Sequence, residues 1–258
     1  MLKNLLSVVI SGGPGLEERE RDPLLHHKVR DFLTQKRIYE QITVASALLD
    51  DPILAFDEID RVFEAVYRYK RPGYIELPRD MVDVRERPHH RPSARDFSSD
   101  PDVLCAAVDE AVDFINDSEN PVILAGVEMH RFGFEDKLLE LMESTNIPAA
   151  ATLLGKSVIR EEHPLYLGIY EGAMGRDAVR QFVENSDCAI ILGAFMTDMN
   201  LGIYTANLDR GRYIYATSEK TSIKYHTYEE VTFNDFLDAL LAAEIHRHQP
   251  PPPERGIM

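Results

Sequence analysis

Cysteine is scarce in this chain: two thiols in 258 residues cannot form a disulfide framework. Cys105 and Cys188 each lie in an apolar run of the kind that builds a core, so a reducing, cytoplasmic setting is the expectation. Positive charge is also in deficit, with 28 Lys and Arg against 44 Asp and Glu and a formal charge of -16. Such a surface repels phosphate backbones and anionic lipid, which argues against nucleic-acid and membrane partners. The apolar opening through Ile10 has no long signal-type region with a small-residue cleavage site. It runs directly into Gly12-Gly13-Pro14-Gly15, so it reads as a buried strand. A phosphate-binding glycine fingerprint is missing too. The loop at 12–15 lacks the GxGxxG spacing and no helix is expected directly behind it, so its role is read as structural. At the second candidate place, Gly126-Val127-Glu128 sets an acid beside any phosphate.

What is present is an alternation of strands and helices. At this length and 44% hydrophobic residues, there is room for one large or two modest domains. A branched apolar run at 5–10 predicts a strand that stops at the glycines. Ile59, Val62, Phe63 and Val66 recur at three and four, which predicts a helix over 56–69 with these residues on its buried face. Arg71-Pro72 ends it and 74–77 reads as a strand, so strand, helix and strand argue for a parallel sheet. Residues 83–99 are polar with two prolines and read as a linker. Asp100-Pro101 supplies an N-cap and a first-turn proline for a helix whose stripe is Leu104, Ala107, Val108, Ala111 and Ile115. Strands at 121–125, 148–152, 188–192 and 213–216 then alternate with helices at 135–144, 176–184 and 233–243, the pattern of a doubly wound α/β domain over 100–245. Residues 246–258 read as a Pro-rich tail; the four prolines at 250–253 favour an extended linker conformation.

Few residues here suggest chemistry by themselves. His26-His27 follows a glycine loop after a strand, where open parallel sheets assemble ligand sites, but adjacent histidines in a polar loop are also commonly solvated, as His89-His90 is expected to be. His246 and His248 lack a third ligand at sensible spacing, so no metal site is expected and they read as solvated tail residues. Asp187 and Asp198 lie beside a strand and receive no role.

Several segments nevertheless form a joint pattern. Ser11-Gly12-Gly13-Pro14-Gly15, Pro23-Leu24-Leu25-His26-His27 and Arg71-Pro72-Gly73-Tyr74-Ile75-Glu76-Leu77-Pro78 are joined by Leu154-Gly155-Lys156-Ser157-Val158, Glu161-Glu162-His163-Pro164, Leu167-Gly168-Ile169-Tyr170 and Leu192-Gly193-Ala194-Phe195-Met196-Thr197-Asp198. Together they resemble the thiamine-diphosphate-dependent 2-keto acid decarboxylases of the pyruvate and indolepyruvate type. The resemblance implies a partial pyrimidine-binding domain at 1–82 and the central, Rossmann-like domain at 100–245, with His26 and His27 lining the active site as catalytic residues. It implies decarboxylation of a 2-keto acid, of indolepyruvate, phenylpyruvate or pyruvate type, to an aldehyde and CO2. Thiamine diphosphate and Mg2+ are the cofactors implied for the complete enzyme. In this family the activating glutamate lies upstream of the matching region, and a Gly-Asp-Gly motif downstream holds the diphosphate and metal; no Gly-Asp-Gly occurs here. The expectation is therefore a part of such an enzyme, inactive alone and binding no cofactor tightly, that works as a homo-oligomer or with complementing segments. The alternative is a stand-alone structural or adenine-nucleotide-binding α/β module without catalysis.

Overall fold

The computed structural model describes residues 6–26, 28–85 and 97–249. Its contacts divide the chain into two compact units, Met1–Asp96 and Phe97–Met258. Both are α/β.

The first unit contains β1 (Val8–Gly13), α1 (Leu16–Arg21), α2 (Thr34–Glu40), β2 (Ala45–Leu48), α3 (Ala55–Tyr69) and β3 (Gly73–Pro78). The strands pair in parallel, as anticipated from strand, helix and strand; β2, which the sequence pattern did not announce, lies at the far edge in the order β1-β3-β2. α3 lays Val62 and Val66 against Ala47 and Ile75 to form the core of this unit. It ends at Lys70 in the left-handed conformation, ahead of Arg71-Pro72. Three expectations need correction. Phe63 is 45% exposed, because it lies one step off the stripe that Val62 and Val66 define. β1 is an edge strand that continues through both glycines, and Ile10 is 63% exposed because no described element covers it. A helix does open directly behind the glycine loop: α1 starts at Leu16. Its first donors are taken internally, since Asp80 Oδ2 accepts from Leu16 N–H at 2.7 Å and Glu18 Oε2 from Gly15 N–H at 2.9 Å.

The second unit contains α4 (Pro101–Asn116), β4 (Pro121–Ala125), α5 (Val127–Phe132), α6 (Glu135–Thr145), β5 (Ala149–Thr152), β6 (Tyr166–Tyr170), α7 (Asp177–Glu184), β7 (Cys188–Leu192), β8 (Tyr213–Ala216), β9 (Thr221–Ile223), β10 (His226–Tyr228) and α8 (Phe233–Ala242). They build a seven-stranded sheet in the order β10-β9-β8-β7-β4-β5-β6. Neighbours from β6 to β8 are parallel, and β9 and β10 add an antiparallel hairpin at one edge. Alternation at period two sends Ile123, Ala149, Ala151, Ile190 and Ile214 to a core shared with α4, α6 and α8. Val122, Leu124, Ala150 and Ile191 face α7 on the other side. All residues of β4, β5 and β7 are buried, as expected of parallel strands covered on both faces. Asp100 caps α4 as anticipated, its Oδ1 accepting from the Asp102 and Val103 amides at 3.0 Å.

Cys188 is buried in β7, but Cys105 is exposed, contrary to expectation. The core stripe of α4 passes through Ala107, Val108, Ala111 and Ile115, which leaves Cys105 beside Asp109 on the outer face. The Asp109 carboxylate, accepting from Sγ, raises this thiol's pKa. His248 also departs from the solvated reading: it is 8% exposed, packed against the end of α6. Among the described residues, no helix is long and apolar enough to cross a membrane.

Candidate active-site loop and the filled crevice of the second unit

In the first unit, polar side chains collect on one face of β1 and β3. Ser11 lies opposite Glu76 in the parallel register, with Tyr74 two residues before Glu76 on the same face. Ser11 Oγ shares a hydrogen bond with Tyr74 Oη at 2.7 Å, and Tyr74 in turn donates to Glu76 Oε2 at 2.9 Å. Gln35 Nε2, from α2, donates to Ser11 Oγ at 2.7 Å and to Tyr74 Oη at 3.0 Å. Tyr39 stacks flat on Tyr74, with ring centroids 4.0 Å apart. Arg19 closes the chain of contacts: Nη2 donates to Glu76 Oε1 at 2.5 Å and Nε to the Pro14 carbonyl at 3.1 Å. Burial, together with the neighbouring Glu76 carboxylate, pushes the Tyr74 phenol up. Glu76 is 2% exposed, and the Arg19 guanidinium is paired with it.

This network fixes the glycine loop and α1 at the carboxyl edge of the sheet, and residues 22–33 follow from there. His26 is exposed in a turn closed by the Lys28 N–H donating to the Leu25 carbonyl at 3.0 Å. Lys28 pairs with Asp22 and lies over the Phe32 ring, 4.5 Å from its centroid. Leu24 is 93% exposed and Val29 81% exposed, so apolar side chains flank the turn without cover from the described residues. His27 lies outside the described residues, as do His89-His90 and the prolines at 250–253. The sequence carries one sign of the network: Glu76, an acid within an otherwise apolar strand. A groove of about 390 Å³ also opens near the carboxyl end of β2, but its cations are engaged, Arg61 by Glu58 and Lys36 by Glu40.

The second unit has its topological switch between β4 and β7, where open α/β sheets take their ligands. Here the backbones close the crevice. Gly126 N–H donates to the Leu192 carbonyl at 2.8 Å, and Glu128 N–H to the Gly193 carbonyl at 3.0 Å. Glu128 is fully buried, and its carboxylate accepts from the Ser218 N–H at 2.9 Å and from the Ser218 hydroxyl. The acid anticipated beside Gly126 is thus buried at the switch point and satisfied by the chain's own donors. His130 follows it in α5, Nδ1 at 2.9 Å from Glu135 Oε1 and Nε2 at 3.2 Å from the Lys156 carbonyl. Asp187 accepts from the Glu119 and Asn120 amides at 2.7 and 2.9 Å, a loop-capping role.

Residues 108–242, more than half of the chain, match the thiamine pyrophosphate enzyme central domain. The chain belongs to the thiamine pyrophosphate enzymes. The indole-3-pyruvate decarboxylase of Azospirillum brasilense is 36% identical over 234 residues, covering 91% of this chain and 43% of that protein. Pyruvate decarboxylase isozyme 3 of Saccharomyces cerevisiae is 29% identical over 237 residues, covering 90% of this chain and 42% of the relative. The pyruvate decarboxylase of Hanseniaspora uvarum is 29% identical over 256 residues, covering 96% and 45%. This thiamine pyrophosphate enzyme chain therefore spans less than half the length of these relatives. Among the described residues, no group of three His, Cys, Asp or Glu could hold a metal ion.

Proposed function

We propose that this chain contributes the histidine loop and central domain of a thiamine-diphosphate- and Mg2+-dependent decarboxylase. The reaction converts a 2-keto acid, of indolepyruvate, phenylpyruvate or pyruvate type, to an aldehyde and CO2. Residues 1–82 form part of the pyrimidine-binding domain, 83–99 a linker, 100–245 the central domain and 246–258 a Pro-rich tail. The enzyme is cytoplasmic and works as a homo-oligomer or with complementing segments.

The observation that carries this reading is the loop at 22–33. It extends from a helix anchored by Arg19, Glu76 and Asp80, and presents His26 between exposed Leu24 and Val29. In the assembled site, the proposed role of His26 and His27 is to hydrogen-bond the substrate carboxylate and to hold or move a proton near neutral pH. The apolar flanks are a surface for the segments that close the pocket. Catalysis by the isolated chain is not proposed: no Gly-Asp-Gly motif occurs in the sequence, and among the described residues no group of three His, Cys, Asp or Glu could hold a metal ion. The indole-3-pyruvate decarboxylase and pyruvate decarboxylase relatives support the choice of substrate class.

The test is calorimetric titration of the chain with thiamine diphosphate plus Mg2+, with FAD and ADP in parallel. It is paired with a decarboxylation assay on indolepyruvate, with and without the non-matching segments of the Azospirillum brasilense enzyme. The reading expects no binding or activity by the chain alone, activity on complementation, and loss of that activity in His26→Ala and His27→Ala. Metal-dependent thiamine diphosphate binding by the chain alone overturns the division of labour. Binding of FAD or ADP replaces it with a nucleotide-binding module.

A further inference from the structure

The backbone continues past α8 against the second unit. Residues 244–249 run beneath the ends of α4 and α6. Asn116, the last residue of α4, holds them in two ways: Nδ2 donates to the Glu244 carbonyl at 3.1 Å, and Oδ1 accepts from the His246 N–H at 2.7 Å. Arg247 Nη1 donates to the Glu143 and Ser144 carbonyls at 2.7 and 3.3 Å. The His248 N–H donates to the Thr145 carbonyl at 2.8 Å, and the His248 carbonyl accepts from Asn146 Nδ2 at 2.8 Å. Glu143, Ser144 and Thr145 are the last three residues of α6, so the segment satisfies carbonyls that the helix end leaves without internal partners.

At the far end of this strap, the His248 ring is packed inward, and its Nε2 is enclosed without a hydrogen bond. A neutral ring tolerates that position, since Nε2 then needs no acceptor. A protonated ring carries N–H on both nitrogens and places an unsatisfied, charged donor in an enclosed site. Two titratable groups act on the ring: the Asp187 carboxylate, from the loop ahead of β7, and His246 of the strap itself. Asp187 already accepts two backbone amides, and the Arg247 guanidinium is turned toward the α6 carbonyls. Burial lowers the pKa of His248, His246 adds to the lowering, and Asp187 opposes it.

We propose that residues 244–248 form a pH-dependent strap, docked while His248 is neutral and released when it is protonated. The docked state binds fewer protons than the released one. Docking is therefore at full strength above the ordinary histidine value of 6.5 and weakens as the pH falls below it toward the lowered docked value. Release leaves the end of α6 uncapped.

The test is residue-resolved amide hydrogen exchange by NMR on the full chain, corrected for intrinsic exchange. The His246 and His248 amides are expected to lose protection below about pH 6.5, at up to about tenfold per pH unit, the limit for one linked proton. His248→Phe is expected to abolish this dependence, and His246→Gln to keep it. Protection that stays flat between about pH 7.5 and 5.5, or a His248→Phe chain that retains the wild-type profile, overturns the proposal. Should that variant not fold, direct NMR titration of the wild-type ring decides, and a midpoint at or above 6.5 refutes the strap.

Discussion

Gly126→Ala isolates the closeness of two backbones as a source of stability. The glycine has φ -108°, open to any residue, so only space decides the outcome. An added Cβ would lie 2.2 Å from Ala194 Cα and from the Gly193 carbonyl oxygen, and 2.5 Å from Ala194 N. Carbon contacts settle near about 3.5 Å, so the β4–α5 turn must part from the loop after β7 by about 1 Å. None of the three neighbours is a side chain that can swing away. The displacement stretches the Gly126–Leu192 and Glu128–Gly193 hydrogen bonds, each worth about 1 kcal/mol net. Overpacking adds about 1–3 kcal/mol, for a total of about 3–5 kcal/mol. Urea unfolding followed by circular dichroism measures the loss, and exchange of the β4 and β7 amides reports the second unit separately. A variant within about 1 kcal/mol of wild type would refute the close-approach argument. Gly133→Ala is the internal control: nothing lies within 4 Å of its Cβ, but φ is +71°. It should cost only the left-handed strain, about 1 kcal/mol.

Three further outcomes follow from local geometry. Asp100→Ala removes the acceptor for two α4 amides and should lower stability by about 1 kcal/mol, measured by the same unfolding experiment. Ile203 is 63% exposed and held at φ +52°, so Ile203→Asn should raise stability by about 1 kcal/mol; a destabilised variant would show that its side chain contributes more than its backbone strain costs. Burial pushes Tyr166 and Tyr228 up to about 12, with Glu161 and Glu110 respectively adding to it. The fold favours their neutral phenols, so this stabilisation is whole below about pH 10 and is lost as the pH rises through about 12. Absorbance at the phenolate band should show a late-titrating component, shared with the likewise raised Tyr74 and Tyr170, that shrinks by one tyrosine in Tyr228→Phe.

The strands at the centre of the second unit were legible because a parallel strand covered on both faces must be apolar throughout, as 121–125 and 188–192 are. α4 was legible from its Asp100-Pro101 start and the apolar stripe at Ala107, Val108, Ala111 and Ile115. β6 was read only as a family motif, because Gly168 at φ +126° and a register shift opposite Ala149/Ala150 break its pattern. β9 and β10 have three residues each, too few for alternation to register. Burial proved harder to read than element type. Cys105 and Phe63 lie in apolar runs yet face out, and His248 lies in a polar stretch yet is buried, because helix ends more than 100 positions back in the chain need its backbone. The position of His26 after the glycine loop was visible in the sequence. Its support, an arginine on α1 joined to an acid on β3, was not, since those residues are 57 apart.

The outer side of β1 governs how this chain behaves in concentrated solution. Six residues long, without a charged side chain and with Val9 and Ile10 facing solvent, it presents a row of backbone donors and acceptors with no partner strand among the described residues. Such a row is a template on which another copy can add a strand. At the opposite edge, β2 is only four residues long, and Arg61 occupies the Ser46 carbonyl. Self-association of the isolated chain is therefore expected to proceed through residues 8–13, to grow with concentration, and to be blunted by a lysine in place of Ile10.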